Sequence, residues 1–268
     1  MMHNPEASVI VSETVAHDAA ALGVARGDTL MIHSSVHSLG LEKLGLHNGL
    51  ESVLQGLLSA VGPEGTLLFP ALSYVDVGPA HPYFDASETK SCVGAFAEFV
   101  RLRPNTLRST HPTHSICAIG ARSREMTASH HLDTTPVGSH SPLALLPQYD
   151  GQILMIGCGG RPNTSMHGVE ELVEPPYLYS GVKTDYECVD LDGVSRPMQV
   201  MGHGFDGYIQ RYDRLENLLT PETEFRFGNI LLASCILMRA AAVWEKGEKA
   251  LRRDPLYFVS SYIADSND

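Results

Sequence analysis

Short apolar segments that alternate with helix-forming stretches constrain this chain more than any other feature of its sequence. Four such segments have the length of β-strands: Asp28–His33, Thr66–Pro70, Ser115–Ile119 and Gln152–Ile156. Apolar runs of this length are typical of strands that are buried on both faces of a sheet. Their alternation with helices predicts an α/β domain with a largely buried sheet.

Turn signals set the limits of the predicted helices. Ser12 and Gly23 match the residue types that begin and end helices, so one helix is expected over Ser12–Gly23. Two more are expected at about residues 49–61 and 93–102. Residues 71–92 lie between the predicted elements and are expected to form a long surface loop.

The pattern of predicted secondary structure changes after the paired prolines at positions 175 and 176. Tyr177–Val200 is typical of a hairpin that turns at Asp192-Gly193, and a helix-rich C-terminal part is expected after it. No repeat or low-complexity linker divides the chain. Residues 1–268 are therefore expected to form one domain.

Composition excludes several classes of protein. Lys plus Arg number 19 against 31 for Asp plus Glu, and the formal net charge of -12 opposes nucleic acid or an anionic membrane as the main partner. No apolar run approaches the ~18 residues that span a bilayer. Met1–Val11 lacks the basic and apolar regions of a secretion signal. The five cysteines are odd in number and widely spaced, which predicts reduced thiols in a cytoplasmic protein.

Charge is segregated along the chain. Arg101–Arg124 contains five arginines and no acid, whereas Thr164–Asp192 contains seven acids and one base, Lys183. The first block suits the phosphates of an anionic cofactor, and the second suits a cationic substrate. The alternative is that both blocks are solvated faces of the protein.

A histidine and a glutamate follow the predicted strand Gln152–Ile156 and a glycine-rich turn. His167 and Glu170 are three residues apart in a stretch expected to begin a helix with Asn163 as its N-cap, so their side chains share a face. A carboxylate bonded to one imidazole nitrogen raises the basicity of the other, as a general base requires. The alternative is a local ion pair on a surface helix.

Other residues are weaker candidates for chemistry. Zinc ligands can be sought among His111, His114, the His130-His131 pair and His167. However, a proline lies between the first two, and no His-Glu-x-x-His or Cys-x-x-Cys motif is present, so no metal site is predicted.

Serine hydroxyls cluster after the first predicted strand. Ser34, Ser35 and Ser38 can bond the amides or phosphates of an extended cofactor. The alternative is an ordinary serine-rich turn.

Six sets of residues, taken in chain order, carry a resemblance to a known family. They are Ile32–Ser35 with Ser38–Gly40, Thr66–Pro70, Arg108–Pro112 with Ser115, Ser141–Leu143, Asp150–Leu154, and Asn163–His167 with Glu170. Together they resemble the aminoglycoside 3-N-acetyltransferase family, the antibiotic N-acetyltransferases. The resemblance is closest from His33 to Glu170 and looser in the C-terminal third.

The resemblance implies a fold, a cosubstrate and a set of binding residues. The fold is a layered α/β/α arrangement around a mixed sheet, the donor is acetyl-CoA, and the acceptor is the 3-amino group of an aminoglycoside. The residues implied in cofactor binding are Ser34, Ser35, Ser38, Leu39, Gly40, Arg108, Ser109, Thr110, His111 and Ser115.

The resemblance also implies catalytic roles. His167, oriented by Glu170, would take a proton from the acceptor amine, and hydroxyl or N–H groups near Thr164 or Ser34 would stabilise the developing oxyanion. His33 would support the site from the end of its strand.

The acceptor side is less well matched. Tyr74 and Asp76 belong to a segment expected to border the acceptor, and Glu171 and Glu174 are the acidic candidates for binding it. The Ala71–Ser91 segment is short for the family, and its residues resemble a sub-branch more than the best-known resistance enzymes.

Three alternative functions remain open from the sequence. The same acetyl-CoA chemistry can act on a different amine metabolite, the histidine clusters can belong to a metal-dependent hydrolase, and a binding protein can keep the pocket without catalysis. A homodimer is a further possibility, through an edge strand of the Tyr177–Val200 hairpin.

Overall fold

The computed structural model describes residues 5–44 and 49–262. Its strands are β1 (Thr29–Ser34), β2 (Thr66–Pro70), β3 (Tyr83–Asp85), β4 (Leu107–Arg108), β5 (Ile116–Gly120), β6 (Gln152–Ile156), β7 (Tyr179–Val189), β8 (Ser195–His203), β9 (Tyr208–Gln210), β10 (Phe225–Ile230), β11 (Ala233–Arg239) and β12 (Val259–Ser261). They form a seven-stranded, a three-stranded and a two-stranded sheet.

Helices cover both faces of the larger sheet. The α-helices are α1 (Pro5–Leu22), α2 (Leu50–Val61), α3 (Ala95–Arg101), α4 (Ser123–Thr127), α5 (Pro142–Leu145), α6 (Met166–Val173) and α7 (Ala240–Arg253). Short 3₁₀-helices lie at Val36–Leu39, His130–Leu132, Leu146–Tyr149 and Tyr212–Asn217.

The seven-stranded sheet is mixed, in the order β10-β11-β6-β1-β2-β5-β4. Only β1 has two parallel neighbours, β2 and β6, and the other neighbouring pairs are antiparallel. Leu30 and Ile32 of β1 pack in one core cluster with α1, α2 and α3, while Met31 packs in a second with α4 to α7. This alternation gives the expected α/β/α layers around a buried mixed sheet.

The predicted strands of this sheet are confirmed. β2 and β6 have the predicted bounds, and β1 and β5 are displaced by one residue. The start of the first helix differs, because α1 begins at Pro5 rather than Ser12. Proline suits a first helical turn, where its missing N–H would have no partner in any case. The helix ends as predicted before Gly23, which has φ of +118°.

Residues 71–92 are not simply a surface loop. They include β3, which pairs in parallel with β7, and Phe84 is fully buried in a third core cluster with Tyr186 and Met198. The predicted hairpin is confirmed as the antiparallel pair β7 and β8. It thus belongs to a small sheet with its own hydrophobic packing.

The C-terminal third differs from the helix-rich prediction. Among the described residues after His203, α7 is the one α-helix, whereas β10 and β11 extend the main sheet beyond β6. Ala233, Cys235 and Leu237 of β11 alternate with Ile236 and Met238 between the two core clusters. The apolar run is therefore a strand buried on both faces.

In residues 5–44 and 49–262, no helix combines the length and the apolar character needed to cross a bilayer. The five cysteines are free thiols. The one-domain and homodimer expectations stay predictions.

Candidate active site

A cavity of about 1350 Å³ opens at the carboxyl ends of β1, β2 and β6. β1 is followed by β2 on one side of it, and β6 later pairs on the other. Open α/β sheets bind ligands at such a change of direction in strand order. One wall comes from these strand ends and the loop after β6, and the opposite wall from the β7–β8 hairpin and the segment that follows it.

His33 at the end of β1 holds the loop that follows β6. The Thr164 N–H donates to His33 Nε2 over 3.1 Å, and the Thr164 hydroxyl lies 2.8 Å from the same nitrogen. Burial, followed by repulsion from His167, lowers the pKa of His33 to about 3, so its ring is neutral. Because both Thr164 donors face His33, these two residues connect the end of β1 to the loop that follows the neighbouring parallel strand β6.

His167 of α6 lies at the floor of the cavity and meets Glu170, which is buried behind it. His167 Nδ1 lies 3.3 Å from Glu170 Oε2 and 3.2 Å from the Tyr212 hydroxyl. Glu170 is fully buried and accepts hydrogen bonds from the hydroxyls of Tyr177 and Tyr212, over 2.9 and 2.7 Å. The Tyr212 hydroxyl gives its proton to the carboxylate and therefore does not donate to His167 Nδ1. Since a carboxylate oxygen can only accept, the contact of Nδ1 with Glu170 assigns the ring hydrogen to Nδ1. The lone pair on Nε2 is then left for the cavity.

Two further histidines stand beside His167. The ring centroids of His114 and His203 lie 5.6 and 5.0 Å from that of His167, and 5.2 Å from each other. His203 Nε2 is 2.8 Å from Glu171 Oε1, which also accepts the Val137 N–H. Burial raises the pKa of Glu171 to about 7 and lowers the pKa of His114 and His203 well below the usual value.

Helix α6 is held from below by α7. The Trp244 indole N–H donates to Ser165 Oγ over 2.8 Å, and a Cβ on Gly168 would meet the Trp244 ring at 2.4 Å. The helix begins at Met166, so the N-cap expected at Asn163 is wrong. Asn163 Oδ1 accepts the Ser165 N–H instead, and its amide nitrogen is buried without a hydrogen-bond partner among the described residues.

The arginine block does not line the cavity. Arg108 is buried, and its guanidinium donates to Ser115 Oγ and to the backbone oxygens of Ala71, Ala86 and Thr89. Burial lowers its pKa to about 10, so it remains charged at neutral pH. Arg108 thus fixes the segment after β2 in place. Other members of the block pair with acids on the protein itself, Arg101 with Glu98 and Arg103 with Glu51.

The residues after Arg108 are also internal. Ser109 Oγ accepts the Ile116 N–H and lies 2.9 Å from His130 Nδ1, and the His111 ring stacks on that of His130 with centroids 4.7 Å apart. Thr110 is buried as well. The structure therefore places Ser109, Thr110, His111 and Ser115 behind the cavity wall rather than on it.

Buried neutral histidines make the fold sensitive to acid. Burial lowers the pKa of His130 to about 3, below the usual value of 6.5, so the unfolded chain binds this proton more readily. Stability is therefore lost as pH falls below the unfolded pKa. We expect the free energy of unfolding to fall by about 1.4 kcal/mol from this residue between about pH 7.5 and about pH 5.5. Urea unfolding at both pH values measures it, and His130→Gln should lessen the pH dependence by that amount. An unchanged dependence in the variant would contradict the assignment.

The serine-rich turn divides in two. Ser34 lines the cavity, and its hydroxyl has no hydrogen-bond partner within the described part of the chain. Ser38 Oγ donates to the Gly157 carbonyl over 3.0 Å and lies 3.1 Å from Ser35 Oγ. Leu39 is buried in the core, and Gly40 ends the 3₁₀ turn with φ of 70°. Of this group the structure brings only Ser34 to the cavity.

Acidic residues predicted for the acceptor lie outside the cavity. Tyr74 lines it and is half exposed, but Asp76 points to the outer surface. Glu171 is occupied by His203, and Glu174 is an exposed residue at the end of α6. Among the Asp and Glu residues that the structure describes, only Asp206 lines the cavity.

Sequence reasoning missed several residues of the site. Arg161 is the one Lys or Arg of the described chain on the cavity wall, and it follows the glycine turn after β6. His203 is the last residue of β8, and Tyr177 and Tyr212 hold Glu170. The glycines on either side of His203 are the one local signal for a close approach there.

Known proteins resemble this chain over most of its length. A family model described as aminoglycoside 3-N-acetyltransferase matches residues 31–252. The chain is 33% identical to aminoglycoside N(3)-acetyltransferase III of Pseudomonas aeruginosa, over 78% of this chain and 92% of the relative. It is 29% identical to aminoglycoside N(3)-acetyltransferase IV of Salmonella sp, over 89% of this chain and 86% of the relative.

Two solved structures are similar over most of the chain. AAC-IIIb in a binary complex with CoASH has a TM-score of 0.75 and 29% identity, covering 90% of this chain and 96% of its own. AAC-VIa bound to sisomicin has a TM-score of 0.71 and 25% identity, covering 90% and 97%. The chain belongs to the aminoglycoside 3-N-acetyltransferase family, whose members are acyltransferases that use acetyl-CoA as the acetyl donor.

Proposed function

We propose that this protein transfers an acetyl group from acetyl-CoA to the 3-amino group of an aminoglycoside, with His167 as the general base. The observation that carries the proposal is the contact of His167 Nδ1 with Glu170 and Tyr212, because it fixes the tautomer that leaves Nε2 free to take a proton. The family membership supplies the reaction class.

The acetyl transfer needs two proton transfers, one from the acceptor amine to His167 and one from His167 to the CoA thiolate. His167 Nε2 accepts a proton from the acceptor amine as the amine nitrogen forms a bond to the thioester carbonyl carbon. The tetrahedral intermediate then collapses, the carbon–sulfur bond breaks, and the CoA thiolate receives the proton back from His167. Glu170 stabilises the positive charge that His167 carries between these two steps.

An oxyanion forms on the carbonyl oxygen in the intermediate. The Thr164 donors face His33, so two other groups on the same wall are better placed to stabilise it. They are the Ser34 hydroxyl, which lines the cavity, and the Asn163 side-chain amide, whose nitrogen is buried without a hydrogen-bond partner among the described residues. Donors that are fixed before the reaction stabilise such charge most strongly.

The cavity is large enough for two substrates. Pockets for one drug-sized ligand measure roughly 300–1000 Å³, and this cavity measures about 1350 Å³. A pantetheine arm and an acceptor ring can therefore meet at His167. The phosphates of CoA would approach Arg161, whose Nε donates to the Gln210 carbonyl and thereby fixes the guanidinium at the cavity wall.

Arg161→Ala should weaken acetyl-CoA binding. Losing one charge-assisted contact to a phosphate should raise KM for acetyl-CoA by about tenfold, with kcat little changed. Steady-state kinetics, with acetyl-CoA varied at saturating acceptor, measure KM and kcat separately. Arg196→Ala is the matched control, because Arg196 pairs with Asp190 away from the cavity. Equal KM values in the wild type and Arg161→Ala would contradict the role.

The acceptor is tested with a panel of amines. Product mass and CoA release are compared for aminoglycosides with and without a 3-amino group, and for monoamines of similar size. Acetylation confined to the 3-amino compounds supports the proposal. Asp206 alone supplies a carboxylate among the described lining residues. Faster turnover of an amine with fewer charges would therefore favour the alternative acceptor, an amine metabolite other than an aminoglycoside. CoA binding without any acetylated aminoglycoside would reject the proposed acceptor and keep the donor.

A further inference from the structure

His114, His167 and His203 come from three separate parts of the chain, and each has one ring nitrogen held by an oxygen. His114 Nδ1 lies 2.9 Å from Thr113 Oγ1, and His203 Nε2 lies 2.8 Å from Glu171. His167 Nδ1 contacts Glu170. The second nitrogen of each ring is therefore the one available: Nε2 of His114, Nε2 of His167 and Nδ1 of His203.

The three histidines converge. One ring nitrogen from each of them lies within 4.8 Å of the others. His203 Nδ1 has no hydrogen-bond partner in the described chain, and the atom is buried because the side chain is only 6% exposed. A buried polar atom without a partner costs free energy, so its position is best explained by a ligand that it can bind.

The surroundings of the three rings match those of metal-binding histidines. Histidines that bind metals usually hold an oxygen through their other nitrogen, and carboxylates are common partners. Glu170 and Glu171 serve His167 and His203 in this way, and the Thr113 hydroxyl serves His114.

We propose that His114, His167 and His203 form an inhibitory binding site for a divalent transition-metal ion of the zinc type. Imidazole nitrogen is a preferred ligand of zinc, and the cavity leaves its fourth position to water or to a substrate. The ion takes up the lone pair of His167 Nε2. Inhibition, as distinct from binding, rests on the proposed role of His167 as the base.

Binding requires a small closure of the site. Tetrahedral zinc with bonds of about 2.0–2.1 Å separates its nitrogen ligands by roughly 3.3 Å. The three rings must therefore approach one another by up to about 1.5 Å, which side-chain rotation can supply because they face open space in the cavity. The site is thus able to bind a metal reversibly, and substrates compete with it for the same space.

Cobalt(II) is the first probe, because its absorption reports tetrahedral coordination without any turnover. The whole chain is titrated with Co²⁺, and then Zn²⁺ is added to displace it. Wild type should bind about one ion per chain, and His203→Gln should bind about tenfold more weakly or worse. His17→Gln is the matched control, since His17 is a histidine on the exposed face of α1 with a side chain 81% exposed.

Acetyl transfer is then measured by product mass, because zinc also binds the thiol of released CoA. Zn²⁺ should inhibit the wild type, a chelator should restore the activity, and His203→Gln should need about tenfold more Zn²⁺ for the same fractional inhibition. Binding that is absent, or that is unchanged in His203→Gln, would overturn the site. Stoichiometric binding that leaves acetyl transfer unaffected would keep the site and reject His167 as the base.

Discussion

His167→Ala should lower kcat for acetyl transfer by about 1000-fold, with little change in KM for acetyl-CoA. The substitution removes Nε2, the proposed acceptor of the amine proton, while the strand ends that line the cavity stay in place. The lost transition-state stabilisation corresponds to about 4 kcal/mol. Steady-state kinetics with both substrates measure the effect, and imidazole added to the solution should restore part of the activity by entering the vacated space.

The control for this prediction is His17→Ala, which removes an exposed histidine far from the cavity. It should leave kcat unchanged. A thermal melt establishes that His167→Ala is folded. A folded variant with at least half of the wild-type kcat would show that another group, or water, accepts the proton.

Glu170→Gln should lower kcat by about 100-fold. The amide keeps the shape of the side chain, but it no longer stabilises a positive charge on His167, and one of its two acceptor positions becomes a donor. Tyr177 and Tyr212 both donate to the carboxylate, so one of them also loses its acceptor. The variant should therefore unfold at a lower temperature as well as turn over more slowly.

Tyr177→Phe separates the two effects of Glu170→Gln. It removes one donor to Glu170 Oε1 and keeps the carboxylate beside His167, so it should cost less than about tenfold in kcat. Glu245→Gln, an exposed acid on α7, is the control for loss of a charge. Equal kcat values for Glu170→Gln and the wild type would contradict the role of the carboxylate.

The part of the site that the sequence could predict is local. His167 and Glu170 lie three residues apart on one helix, and the strand before them has a continuous apolar run. Both facts follow from short-range periodicity, which is why the contact between these residues could be expected. His33 and Ser34 are likewise the last two residues of a strand whose bounds were predicted to within one residue.

The rest depends on distant parts of the chain. The Arg108 side chain is buried because its guanidinium donates to carbonyl oxygens of the segment after β2. No pattern within residues 101–124 indicates that this arginine is buried. His203 reaches His167 only through the hairpin, 36 residues later in the chain. The strand β11 precedes α7 without a break, so its apolar run was indistinguishable from a longer helix.

The two walls of the cavity belong to different sheets. The proposed base is carried by α6, which packs against the seven-stranded sheet and is fixed by Trp244, whereas Val182, Thr184 and Tyr186 face the cavity from the small sheet. Mutations of these three hairpin residues can therefore alter which amine fits without moving His167. Substrate range can diversify in such a molecule while its chemistry stays constant, and exchange of the hairpin between relatives is the direct way to redesign it.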